Sequence, residues 1–280
     1  MLFDRAHREF FWLFVRRDLK VRYAGSTLGG LWNLIHPIMM IAIYMTIFSS
    51  IMRNKLGGIE PGTVDYGDFA YGVHLVAGLI PWLLFSDVLT RSTGVLQEHG
   101  PLLQNVSFPP IILFLTVLFN GLLVHVVAFV CFLGILVVAG LPVPVQTVGG
   151  LGVLAAIGLS GMGLGMMLAS SNVFFRDTAQ LLAVVMQLLF WFNPIVYPRT
   201  IIFSADALEG HPLLVEVGRW LIRLNPFERF IGASQRLMGL PMPWELGVSD
   251  WAILVGFPVV CVVAGTWLFR RTLPEIRDNI

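Results

Sequence analysis

The sequence predicts an all-α polytopic membrane protein with six transmembrane helices, an N-terminal amphipathic interface helix, and short re-entrant or interfacial helices between the fifth and sixth crossings. Three observations carry this reading. Of the 280 residues, 56% are hydrophobic and only 12% are charged, with a mean hydropathy of +0.80; soluble domains run at roughly 45–50% apolar and about 25% charged. The apolar residues gather into six runs, at about 31–52, 69–89, 111–139, 147–170, 179–197 and 251–269, each long enough to cross a bilayer as a helix. A cluster of cations stands immediately ahead of the first run.

Residues 1–30 form a cytoplasmic amphipathic interface segment. Phe3, Phe10, Phe11, Leu13, Phe14 and Val15 are interleaved with Arg5, Arg8, Arg16, Arg17, Lys20 and Arg22. Large aromatics beside arginines at near-helical spacing describe a helix lying in the membrane interface, its cations on anionic headgroups. Gly25, Gly29 and Gly30 make an elbow into the first crossing, and residues 31–280 form the transmembrane domain. Asp4 and Glu9 interrupt the start, and the first apolar run is too long for a signal-peptide core, so that crossing is expected to act as an uncleaved signal. With the amino terminus inside, the cytoplasmic segments hold eleven basic residues and the outer ones seven, which favours both termini in the cytoplasm.

The third run carries Asn120 and His125 near its middle. Polar groups inside a membrane are candidates for function, although a lone histidine in a bundle more often makes one structural hydrogen bond. The fourth run contains Gly161-x-x-x-Gly165, a step that lets helices approach closely. Cys131 and Cys261 lie inside apolar runs and read as small packing residues rather than a disulfide or metal pair. Between the fifth and sixth runs, residues 213–224 place Glu216, Arg219 and Arg223 on one helical face. Asn225-Pro226 breaks that pattern, and a second amphipathic stretch follows until Pro241 and Pro243.

Several chemistries are excluded. The two lysines, Lys20 and Lys55, follow no glycine pattern of a phosphate-cradling loop, so the chain carries no ATPase of that kind. No HExxH, CxxC or GxSxG is present. Gly158-Leu159-Ser160-Gly161 resembles the serine motif of rhomboid proteases, but the last run holds no histidine to serve as its base, and His211 lies in the loop before it. An ion-coupled secondary transporter would favour paired intramembrane carboxylates or an internal repeat; only Asp87 falls within a run. The net charge of +1 gives no reason to expect nucleic acid.

Five stretches together carry a resemblance: RRDLKVRYAGSTLGGLWNLIHPIM at 16–39, LLQNVSFPPIILFL at 102–115, SSNVFFRDTAQLL at 170–182, FWFNPIVYP at 190–198 and LNPFERFIGASQRLMG at 224–239. In order and over nearly the whole chain, they resemble the membrane-spanning permease subunits of ATP-binding-cassette exporters for O antigen, capsule and teichoic acid. Asn105 and Pro110 stand where that pattern has basic residues around the Phe-Pro pair.

The resemblance implies a homodimer in the bacterial inner membrane, bound to two copies of a cytoplasmic nucleotide-binding ATPase subunit. ATP and Mg would be used in that partner; this chain is not expected to be an enzyme or to hold a cofactor or metal. The substrate would be a polyprenyl-pyrophosphate-linked glycan. The stretch between the second and third runs would touch the ATPase through Arg91, Gln97, Glu98 and His99, and the next cytoplasmic loop through Arg176 and Asp177, unless these are only solvated loop charges. Residues 213–239 would form an outer gate. Tyr44, Phe48, Trp191 and Phe192 would offer ring faces along a glycan path, or else pack at the membrane interface. Arg5, Arg8, Arg16, Arg17 and Arg22 would bind the pyrophosphate or headgroup, an arginine fork suiting phosphate, or would hold bulk anionic lipid. Export of drugs or small lipids is the alternative within the same architecture.

Overall fold

A computed structural model describes residues 5–22, 26–51, 63–105, 108–175, 177–197, 216, 220, 225–240 and 247–279. The described residues are helical with no strand. The helices are α1 (Arg5–Arg22), α2 (Gly29–Ile51), α3 (Ala70–Glu98), α4 (Gly100–Asn105), α5 (Ile111–Val138), α6 (Gly150–Phe174), α7 (Thr178–Phe192), α8 (Pro226–Leu237) and α9 (Val248–Asn279). Five of these, α2, α3, α5, α6 and α9, are long and apolar enough to cross a membrane.

The fifth of the six expected crossings differs from expectation. The apolar run reaches residue 197, but α7 stops at Phe192 and at 15 residues is only about 22 Å long, short of the roughly 30 Å of hydrocarbon. The stop is Asn193-Pro194. A proline disfavours helical geometry at the residue before it, and Asn193 is extended, at φ −93° and ψ 138°. Side chains hold the backbone at and beyond the break. Asn193 Nδ2 donates to the Leu189 carbonyl at 2.6 Å, Gln235 Nε2 donates to that of Pro194 at 3.3 Å, and Tyr71 Oη donates to that of Val196. Irregular backbone is tolerated inside the bundle because protein groups satisfy it.

The bundle is built around α3. Glycines let α6 lie against it: a Cβ at Gly161 would sit 3.2 Å from the Phe85 carbonyl, and one at Gly165 would meet Ser92 and, at 3.3 Å, the Leu89 carbonyl. The expected Gly161-x-x-x-Gly165 contact is therefore made with α3. A second seam, on the other side of α6, was not anticipated. A Cβ at Gly163 would run into the backbone of Cys261 and Val262 in α9, and one at Gly265 into the backbone of Gly163. Cys131 and Cys261 are free cysteines, partly and fully buried.

At one end of the bundle stand the α3 terminus, the start of α5 and α1. At the other, which we call the far end, α2 is pinned to α3: Ser49 Oγ accepts from the otherwise orphaned Gly72 N–H at 3.1 Å. There Tyr66 Oη donates to the Met238 carbonyl at 2.6 Å and Val64 N donates to that of Gly239 at 2.8 Å. Burial pushes the Tyr66 phenol up to about 12.

The second amphipathic stretch between the last two crossings becomes α8, buried rather than laid on a surface. Asn225, the expected breaker, is its cap: the side chain accepts from Phe227 N at 3.0 Å, with Pro226 in the first turn. Phe227 reaches Phe85, halfway along α3, at a ring separation of 4.4 Å. Ser234 Oγ donates to the Ala77 carbonyl at 2.7 Å, and Leu237 lies against Gly149. Thus α8 climbs from mid-depth to the far end. Of the preceding stretch, 213–224, only Glu216 and Trp220 are described, both exposed.

Candidate functional site

The chemistry-bearing side chains gather at the α1 end. Helix α1 docks on the bundle through its apolar face rather than resting on lipid alone. Phe14 and Val15 are buried, Phe10 and Phe14 meet Phe108 at 6.3 and 5.8 Å, and Phe11 and Trp12 take Phe119 of α5 edge-on at 5.7 and 5.4 Å. The opposite face carries the cations. Arg5, Arg8 and Arg16 line a groove together with Trp12, as spacings of three and four residues require. Arg5 is paired with Glu9 at 3.2 Å in the open, a contact that adds little stability.

Arg17 is separated from that face. Although exposed, it lines a cavity of about 240 Å³ beneath α1, shared with Asp18, Arg91, Glu98 and His99. The structure therefore divides the arginines assigned to headgroups into an outward set and one residue behind it. Arg22 ends α1, and its side chain is outside the described residues.

Arg91 is engaged within the chain: Nη2 donates to Asp18 Oδ2 at 2.5 Å, and Nη1 stands 3.8 Å from Asp87 Oδ2. The same Asp18 oxygen accepts from Asn120 Nδ2 at 2.5 Å. Asp18 is the residue that sequence reasoning missed. The available signal was one carboxylate in a stretch otherwise basic from Arg16 to Arg22. Asn120 is wholly buried, so its place mid-run answers to α1. His125 Nδ1 lies 2.9 Å from the Gly121 carbonyl one turn back, in line with the structural role expected of it.

Residues 91–98 form the last two turns of α3, not a loop. Gln97 Nε2 donates to the Asn172 carbonyl at 2.6 Å, fastening α3 to the end of α6. Glu98 is exposed. The His99 ring stands edge-on to Phe14 at 5.9 Å, with Nδ1 3.0 Å from the Val95 carbonyl. Asp177 is exposed just before α7; Arg176 lies outside the described residues.

A larger cavity, about 820 Å³, opens between α2, α3 and α5. Its walls are mostly apolar, among them Pro37, Met40, Leu79 and Leu83, while Asn33, His36, Asp87 and Arg91 lie toward the α1 end. Tyr44 lines it and begins a π-helical turn, Tyr44–Phe48, a distortion common at functional positions. Tyr44 and Phe48 meet at 5.7 Å, and Phe48 stacks on Tyr71 at 6.4 Å. Trp191 and Phe192 stand on α7, 58% and 49% exposed. Among the described residues, the two aromatic pairs make no ring contact with each other within one chain.

No group of three or more His, Cys, Asp or Glu among the described residues could hold a metal ion. What the arrangement offers is a cationic helix face at one end of an apolar bundle, tied by ionic bonds to the helix end beside it, with a cavity between the helices alongside.

Comparison with known proteins gives the chain's family and relatives. The pattern of the ABC-2 type transporter family matches residues 9–209. An O-antigen export system permease protein of Klebsiella pneumoniae is 28% identical over 262 residues, covering 91% of this chain and 88% of its own. Its counterpart in Myxococcus xanthus is 29% identical over 273 residues, 95% and 93% of the two chains. A polysialic acid transport protein of Escherichia coli is 26% identical over 124 residues, 44% of each.

Proposed function

The chain belongs to the ABC-2 type transporter family, and from that premise we propose that it is the membrane permease of an ATP-driven exporter that moves a lipid-linked polysaccharide of the O-antigen kind. The observation that carries the reading is the similarity to two O-antigen export permeases over more than nine-tenths of this chain. The cationic face of α1 supports it, since a polyprenyl-pyrophosphate headgroup needs charge-assisted donors at the membrane surface. In this reading Arg5, Arg8 and Arg16 meet the headgroup from the groove with Trp12, and Arg17 and Arg22 set the surrounding potential.

The working unit is two copies of this chain with two cytoplasmic ATPase subunits, which bind ATP and Mg, in a bacterial inner membrane with both termini cytoplasmic. The ATPase takes the exposed Glu98 and Asp177, flanked by Gln97, His99 and Arg176, with Arg91 behind them. Nucleotide-driven closure shifts the end of α3 as a hinged movement, and no bond is made or broken in this chain. Two facing copies enclose the path between α2 and α7, where Tyr44, Phe48, Trp191 and Phe192 present ring faces to passing sugars. The amphipathic stretches between the last two crossings, α8 among them, gate its far end.

The experiment is extraction of the tagged chain from its host in mild detergent, with identification of co-purifying ATPase and assay of surface polymer. Equal amounts of an ATPase, and loss of surface polymer in Arg16→Gln/Arg17→Gln at unchanged membrane level, are the expected results. The apolar cavity beside α2 favours one second reading, export of a small amphiphile. Normal surface polymer in a deletion strain, with a lost lipid or drug efflux, would select it.

A further inference from the structure

We propose that Asp18 is a positioning residue that fixes α1 to α3 and α5, so that the arginine face of α1 moves as one body with the end of α3. The proposal rests on the ATP-driven permease reading for its purpose, but its geometry stands apart from it. One carboxylate oxygen, Asp18 Oδ2, receives both Arg91 Nη2 from α3 and Asn120 Nδ2 from α5, each at 2.5 Å. Phe14, Val15 and Asp18 share one helical face, and Asn120 Nδ2 also stands 3.5 Å from the Val15 carbonyl.

Position and chemistry support the assignment. An acid one turn before the C-terminus of a helix faces the negative end of the helix dipole, and neighbouring Arg16, Arg17 and Lys20 show that this segment otherwise favours cations. Pairing with Arg91 gives Asp18 a reason to be there. The guanidinium is aimed from its own helix by Asp87, one turn away at 3.8 Å. The rings of Phe10, Phe11 and Trp12 bind α1 without fixing its direction, because apolar contact is not directional. A charge-assisted bridge is directional, and supplies the missing constraint on rotation and sliding. Arg16 lies two residues from Asp18, on the outward side of the helix, so whatever turns the bridge turns the cationic face.

The test uses the full permease–ATPase complex in its own membrane. Asp18→Arg and Arg91→Asp each place like charges in the bridge, and the double variant Asp18→Arg/Arg91→Asp restores opposite ones. Asn120 can serve either arrangement, because its side-chain amide both donates and accepts. We expect each single variant to lower surface polymer roughly tenfold, as loss of a charge-assisted bond predicts, while ATP hydrolysis in Asp18→Arg stays within about twofold of wild type. The double variant should recover most export. Parallel loss of hydrolysis and export in Asp18→Arg, or no rescue by the swap, would overturn the proposal, since a role in folding alone gives that result.

A second readout is independent of transport. In a chain with Cys131→Ala and Cys261→Ala, a Val15→Cys thiol lies under α1 and should resist a water-soluble maleimide. Arg91→Asp should expose it, and the charge swap should protect it again. Unchanged protection in Arg91→Asp would sink the bridge whatever the chain exports. Bridge-dependent protection in a chain that binds no ATPase would instead remove the permease reading and leave the bridge standing.

Discussion

Helices α2 and α3 are neighbours of similar hydropathy, yet 83% of the apolar window of α3 is buried against 22% for that of α2. On α3, close approach has been arranged on several sides: Gly72 admits the backbone of Met45, Gly78 admits Gln235, and α6 supplies Gly161 and Gly165. On α2, by contrast, Leu31, Leu34, Met39, Ile43 and Ile47 are all exposed within one chain, as are Leu181, Val184 and Leu188 of α7. Hydrophobicity alone does not separate a scaffold helix from one that faces lipid or a second copy. The distribution of small residues and of buried polar partners does, because only these let backbones meet without unpaired groups.

The strongest way to break that contrast is to fill a scaffold seam. Gly163→Leu would drive a side chain into the α9 backbone; overpacking of even yielding cores costs about 1–3 kcal/mol, and here the obstacle is main chain. No folded protein should be recovered by size-exclusion of solubilised membranes. Gly152→Leu, on the same helix with open space at its Cβ, should elute as wild type.

Next is the junction of α8 with α3. Gln235→Leu removes the donor to the His74 and Pro194 carbonyls, at 3.2 and 3.3 Å. The His74 carbonyl keeps its helical partner, but leaving the buried Pro194 carbonyl unpaired costs about 1–3 kcal/mol, so the melting temperature in detergent should fall by several degrees. A smaller loss is expected from Tyr66→Phe at the far end, about 1 kcal/mol for one neutral hydrogen bond. The phenol is raised from 10.0 to about 12; its folded form holds the proton more tightly, so this contribution is complete below pH 10 and disappears as pH rises toward 12. The variant should lack that alkaline loss in thermal scans at stepped pH.

The smallest effect on stability belongs to the working surface. Trp191→Ala, at a side chain 58% exposed, should change thermal stability by less than about 0.5 kcal/mol yet reduce surface polymer. Normal export in this variant would remove Trp191 from the proposed path. A large fall in stability would mean that α7 belongs with the scaffold, and the contrast between the two kinds of helix would fail at that point.

Much of this architecture was legible because hydropathy and punctuation are local properties. Run lengths marked the five helices long and apolar enough to cross a membrane, Gly161 and Gly165 announced a close packing, and Asn225-Pro226 marked a boundary that is the cap of α8. The α7 terminus was misplaced by five residues because an apolar run continues through Asn193-Pro194, and composition does not say when side chains take over from helical bonds. Nothing in the sequence signalled that Asp18 would meet Arg91, 73 positions later.

The sequence by itself determined that this chain is an all-α membrane protein with a cationic amphipathic helix near its start, since lipid admits only helices and closed barrels and continuous apolar runs of this length are not the short alternating strands of a barrel. Tertiary structure alone decided that α3 is the centre, that α6 carries two glycine seams, and that Asp18, Arg91 and Asn120 share one site. Those outcomes depend on which helix faces meet, and directional bonds between residues far apart in sequence exist only once the helices have packed.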